Sequence, residues 1–160
     1  MKFAAITTAL GVLLSSLVLA DNHEKAEAKS ADVKLVITGN DAMQFDKKAL
    51  EVTEGQVVEL TFKNIGALPK EAMGHNVVIL KAGTDLTQFA LAASKPDNRP
   101  NDFLPQDDNK AKILAHTKLL GPGEDDTITF TAPAAGKYEY LCTFPGHFAI
   151  MRGVLTVKAK

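Results

Sequence analysis

One cysteine in a chain of 160 residues sets the first limits. Cys142 has no partner for an internal disulfide, and a structural zinc site, which wants two or more thiolates beside its histidines, is out of reach. Charge of one sign is lacking too. Against 19 acidic residues stand 18 basic ones, a formal net charge of −1, without the basic excess that nucleic acid selects. No internal repeat is visible, and the length suits one domain rather than two. Long apolar runs are absent except at the N-terminus.

That run extends from Ala4 to Leu19, follows Lys2 and ends Val18-Leu19-Ala20. A positive start, an apolar centre and short residues before the cut describe a secretory signal peptide over residues 1–20, cleaved before Asp21. The other reading is an uncleaved anchor, for which the run sits near the lower length limit of a span. Cleavage leaves 140 residues and removes Lys2 alone among the charges, so 17 basic residues face 19 acidic ones, a net −2. A domain of this size buries about two thirds of its unfolded surface and folds without a staple. The expectation is a monomer exported to the periplasm, with no stable membrane insertion after cleavage. A free thiol in such a compartment is exposed to oxidation, so Cys142 needs either burial or ligation as a thiolate to persist.

Residues 21–32 (DNHEKAEAKSAD) are charged, rich in alanine and nearly without large apolar side chains. They cannot bury enough surface to offset their ordering entropy, which predicts a flexible polar tether, with His23 a solvated histidine. From residue 33 to 160 the pattern is that of a single β domain. Val33–Thr38, Met43–Asp46, Ala49–Thr53 and Val57–Phe62 alternate or are β-branched, and Gly39-Asn40-Asp41 and Glu54-Gly55 read as turns. His75–Leu80 reads as a buried strand, Thr84–Ser94 as a helix capped by Thr84, and residues 95–108, with three prolines, as loop. Strands follow around residues 111–116, 127–131, 137–142 and 153–157. Seven or eight short strands with frequent turns and one short helical insertion predict an all-β, antiparallel, Greek-key sandwich.

The chemistry concentrates in Tyr140-Leu-Cys-Thr-Phe-Pro-Gly-His-Phe-Ala-Ile-Met151, in the turn between the last two strands. A thiol (Cys142), an imidazole (His147) and a thioether (Met151) in one short loop form a soft ligand set. A His₂Cys set with a weak axial Met is the signature of an electron-transfer copper centre. The loop lacks one histidine of that set, and outside the tether the chain offers His75 and His116. Taken singly, each residue has a plainer reading: a cysteine at a strand end as packing, a methionine as core, a histidine at the mouth of a buried strand as a hydrogen-bonded core residue. No His-x-His motif occurs, which excludes a multicopper oxidase, and nothing marks the third group or pocket that a Cys/His nucleophile would need.

Met73-Gly-His-Asn76 followed by Cys142-Thr-Phe-Pro-Gly-His-Phe-Ala-Ile-Met151 closely resembles the azurins, small blue-copper proteins of the cupredoxin family. The resemblance covers almost all of residues 31–160 and includes Asn40-Asp41 with Met43-Gln-Phe45, Leu68-Pro-Lys70 and Ala115-His-Thr-Lys-Leu119. Four residues between Cys142 and His147, and three between His147 and Met151, match the azurin loop. The resemblance implies His75, Cys142 and His147 as equatorial copper ligands and Met151 as a long axial one. The carbonyl of Gly74 becomes a second weak axial contact. It further implies Asn76 bonding to the Cys-bearing loop, and the backbone N–H of Phe144 bonding to the thiolate. A docking patch of Leu68, Ala72, Met73, Phe144, Pro145, Gly146 and Ile150 would surround an exposed edge of His147, and His116 would be a nonligating surface residue.

The implied activity is shuttling of single electrons by one type 1 copper ion, with c-type cytochromes or copper nitrite reductase as partners and no substrate turnover. The alternative is a periplasmic copper-binding or delivery protein with no redox circuit. Three departures stand out. The usual N-terminal disulfide has no cysteine left to make it beside Cys142, a loss worth roughly 2–5 kcal/mol. The frequent buried Trp is missing, since Val77 follows Asn76, and the segment between His75 and His116 is slightly long. Asn64 also stands where many azurins carry a histidine that titrates near neutral pH.

Overall fold

The computed structural model describes Met1 and residues 30–160; the expected signal peptide, His23 and nearly all of the expected tether lie outside the described residues. Asp32, the last residue of that tether, is held to the domain. Its N–H donates to Val57 O at 2.8 Å and its Oδ2 accepts from Val57 N at 2.7 Å.

Among the described residues the strands number nine: β1 (Val33–Asn40), β2 (Gln44–Phe45), β3 (Ala49–Thr53), β4 (Val57–Asn64), β5 (Val78–Leu80), β6 (Ile113–His116), β7 (Asp125–Thr131), β8 (Gly136–Leu141) and β9 (Arg152–Lys158). They form two sheets, in the orders β2-β1-β4-β7 and β3-β9-β8-β5-β6. The period-2 pattern decides which side chains face inward. In β4 every second residue, Val58, Leu60, Phe62 and Asn64, is buried, and in β3 Leu50 and Val52 are. These meet Ile37, Tyr140, Leu155 and Val157 in one core between the sheets. Each fully buried aliphatic side chain contributes about 1.5–3 kcal/mol.

Two features depart from the sequence reading. The sandwich is mixed rather than antiparallel throughout, because β1 pairs with β4, and β3 with β9, in parallel. The chain switches sheets between β2 and β3 and again before β4, so strands running the same way become neighbours. The helical content is also larger. A one-turn helix α1 (Lys70–Met73) follows Pro69, and the prolines of the expected loop start a 3₁₀ turn at Pro96–Asn101, with a second at Asp108–Lys112.

The expected helix is present as α2 (Leu86–Ala93), capped by Asp85, whose carboxylate accepts from Gln88 N at 2.9 Å, and not by Thr84. It buries Leu86, Phe89, Ala90 and Ala93 against Val78, Leu80 and Leu141 on the outer face of the second sheet.

Candidate metal centre

The Cys142 loop leaves the end of β8 and returns into β9, and backbone pairing closes it. Cys142 N donates to Met151 O at 3.0 Å, and Met151 N to His147 O at 2.8 Å. Gly146, at φ 83°, supplies the left-handed residue that turns the chain into a short 3₁₀ turn over His147–Ala149. His75 comes from the segment leading into β5, the strand beside β8 in the second sheet. The strand expected from residue 75 is regular only from Val78, because His75 and Val77 pair with loop residues. His75 exchanges N–H···O bonds with Leu120 (3.1 and 2.7 Å), and Val77 N donates to Thr117 Oγ1 at 3.0 Å.

This frame brings together three of the residues the sequence singled out, His75, Cys142 and His147. His75 Nδ1 and His147 Nδ1 lie 3.2 Å apart, and Cys142 Sγ is 4.0 Å from the first and 3.6 Å from the second. A triangle with these edges has its corners about 2.1 Å from a common centre, against zinc bonds of about 2.0–2.1 Å to imidazole and 2.3 Å to thiolate. No other group of three or more histidine, cysteine or acidic side chains that could hold a metal is found among the described residues. His75 and Cys142 are wholly buried and His147 is 3% exposed.

Met151 is also wholly buried, and the space for it is cut into β1. A Cβ added at Gly39 would stand 2.7 Å from Met151 Cε and 2.9 Å from Phe62 Cζ. Gly39 therefore does not belong to a turn, as its sequence context suggests, but to a strand that needs close approach. Gly74, buried at φ −65°, is glycine for a similar reason, since a Cβ there would meet the Lys70 carbonyl at 2.7 Å.

Burial sets the electrostatics. It pushes the Cys142 thiol up to about 12, while the backbone N–H groups of Asn76 and Phe144 pull the other way by favouring the thiolate. Burial lowers His147 to about 4, with the neighbouring His75 adding to the effect. His75 is lowered by burial as well, opposed by the Asn40 carbonyl and by Asp41. That carbonyl does not complete a hydrogen bond, and His75 Nε2 is a buried nitrogen without a partner. At neutral pH the cluster thus holds two neutral imidazoles and a thiol. A thiolate buried here needs a cation beside it, and two imidazoles, a thiolate and a thioether suit a soft one.

Beside the cluster, Asn76 bonds both the loop that carries Cys142 and the segment at Asp102. Its Nδ2 donates to Thr143 Oγ1 at 2.8 Å and to Asp102 O at 3.1 Å, and its Oδ1 accepts from Thr143 N at 2.8 Å. Thr143, Asp102, Gly39 and the Asn76 backbone N–H escaped the sequence reading, since a threonine and a strand glycine carry no distinctive ligand chemistry and Asp102 takes part through its backbone carbonyl. Phe144 stacks on His147 with ring centroids 4.6 Å apart. His116 ends β6, exposed, with Nδ1 3.2 Å from Thr117 O and apart from the cluster. Of the expected patch, Leu68, Ala72, Pro145, Gly146 and Ile150 are exposed, Met73 and Phe144 half-buried. At 3%, His147 exposes far less than the expected edge suggests.

Comparison with known proteins agrees with this donor set. Residues 31–158 match the family described as copper binding proteins, plastocyanin/azurin family. Azurin-1 of Alcaligenes xylosoxydans xylosoxydans is 42% identical over 129 residues, 78% of this chain and 97% of that protein. Azurin of Pseudomonas aeruginosa is 38% identical over 133 residues, 81% of this chain and 87% of that protein. Among solved structures, dithionite-reduced auracyanin from Roseiflexus castenholzii is similar with a TM-score of 0.67 and 43% identity, covering 79% of this chain and 98% of that one. A buried His–His–Cys triangle with a buried methionine closing the same loop, on a two-sheet sandwich matched over nearly all its length, is that of an azurin-like cupredoxin: the chain belongs to the plastocyanin/azurin family of copper-binding proteins.

Proposed function

We propose that this protein is a type 1 copper electron carrier, in which His75, Cys142, His147 and Met151 would hold the ion and the Gly74 carbonyl would offer a further weak contact. The observation that carries the reading is the triangle of Nδ1, Nδ1 and Sγ, with edges of 3.2, 3.6 and 4.0 Å in a buried site. Copper held there supplies a reversible one-electron change between Cu(I) and Cu(II). The protein's part is to hold its donors still. Cys142 releases its thiol proton on binding, and the N–H groups of Asn76 and Phe144 then share the charge on sulfur. The Asn76–Thr143 bonds fix the loop beneath it, and burial of all four side chains excludes water. With no donor more than 3% exposed, a substrate has no access to the centre, so the activity is electron exchange rather than turnover.

Electrons pass through the His147 side, where Leu68, Ala72, Met73, Phe144, Pro145, Gly146 and Ile150 form an apolar docking face. Leu68 and Ile150, at 45% and 46% exposure, are large apolar side chains left in water, as a brief, small interface requires. The partners are redox proteins such as c-type cytochromes or copper nitrite reductase, met by a monomer in the periplasm. Export rests on the apolar run at residues 4–19, with 21–32 as a tether.

Adding Cu(II) to the metal-free mature protein tests the centre. Intense blue thiolate-to-copper absorption is expected, and its loss in Cys142→Ser; a colourless complex overturns the assignment. Colour without electron exchange would instead make the protein a copper-delivery protein.

A further inference from the structure

Asp102 and Phe103 are neighbours, and both adopt left-handed backbone, at φ 57° and 56°. Residues with a Cβ resist that region, so two in succession persist only where the surroundings fix them. Phe103 N donates to Asn98 O at 2.9 Å, and Asn76 Nδ2 donates to Asp102 O at 3.1 Å. Asn98 is itself buried and donates from Nδ2 to Ala92 O (2.9 Å) and Ala93 O (3.1 Å), which ties the segment to the end of α2. What this arrangement places is one ring. Phe103, 5% exposed, meets Phe144 at 69° with centroids 5.2 Å apart. Phe144 lies in turn against His147, at 4.6 Å and 36°.

We propose that Phe103 is a positioning residue for the metal centre, holding Phe144 against the His147 imidazole from a segment that carries no ligand. The proposal rests on the reading of His147 as a ligand. An edge-on aromatic contact has a preferred geometry as well as buried area, so fixing the outer ring limits the swing of the inner one. The left-handed pair is what aims it: relaxing Phe103 to negative φ would redirect its Cβ and carry the ring off Phe144. Asn76 couples the two sides, since the same amide group bonds Asp102 O and Thr143 Oγ1. The slightly long stretch between His75 and His116 thereby acquires a task, as a brace against the ligand loop.

The test compares Phe103→Ala and Phe103→Tyr with the unaltered protein by two readouts. One is the NMR signal of the His147 ring in the metal-free protein; the other is the rate at which copper passes to a chelator. In Phe103→Ala the ring signals shift and broaden, and copper release quickens about tenfold, the low end of what outer partners of a metal ligand contribute. Phe103→Tyr, which keeps the ring, behaves as the unaltered protein. Should Phe103→Ala not fold, Phe103→Gly removes the ring while accepting the left-handed backbone without strain. A ring-deleted variant whose metal-free His147 signals match the unaltered protein overturns the proposal, whatever its copper release. A protein that binds no copper at all would remove the reading of the site, and the metal-free readout would still decide the role of Phe103.

Discussion

Gly39 shows how a residue without functional groups can shape a metal site. Its missing side chain is occupied by the end of Met151, with Phe62 closing the other side. Gly39→Ala must push one of them away. We expect a loss of about 1–3 kcal/mol, as for overpacking elsewhere, together with a changed blue absorption spectrum as the thioether moves. A thermal melt and a spectrum of the same sample check both. Asn64 is the opposite case, a polar residue that is 2% exposed and fully engaged: its Nδ2 donates to Leu120 O at 3.0 Å and its Oδ1 accepts from Gly66 N at 2.9 Å. An amide does not titrate, so the amide signal of Gly66, which donates to Asn64 Oδ1, should show no transition between about pH 5 and 8. Asn64→His should introduce one there.

At the level of elements, the link between β1 and β2–β3 carries a charge that matters for folding. The Asp46 carboxylate accepts from Thr38 N at 2.6 Å and from Lys47 Nζ at 2.9 Å. Partial burial raises its pKa, but these donors outweigh burial and hold it below the ordinary carboxylate value. A depressed folded-state value means the stabilisation is complete above the unfolded value near 4 and is lost as pH falls through the folded one. Asp46→Asn should therefore lower the urea midpoint at pH 7 and lower it progressively less as pH falls below about 4; an equal deficit throughout would show that charge is not involved.

The same elements show where sequence patterns stop. The alternation of β4 and β3 is legible because half of each strand faces water. Neither the parallel pairing of β1 with β4 nor the register of His75 with Leu120 is, because partners are chosen by the path of the whole chain. Cys142, His147 and Met151 are legible as a candidate ligand set from their own chemistry, whereas His75 is told apart from His116 only by the resemblance to the azurins. Asp102 and Phe103 are not legible, because their left-handed backbone is imposed by Asn98 and Asn76.

On the scale of the molecule, the proposed one-electron centre would lie buried beneath an apolar face of a sandwich with little net charge. Docking should then depend on apolar contact at Leu68 and Ile150 more than on charge. Ile150→Glu is expected to slow exchange with a partner while leaving the absorption of the centre unchanged, because the side chain stands in solvent, 46% exposed. The most direct test of the whole is stopped-flow mixing of the copper(II)-loaded protein with a reduced c-type cytochrome, following the blue band. The band is expected to bleach as the cytochrome is oxidised, one electron for each copper, and to bleach more slowly in Ile150→Glu. A blue band that persists while the cytochrome stays reduced would contradict the proposed function.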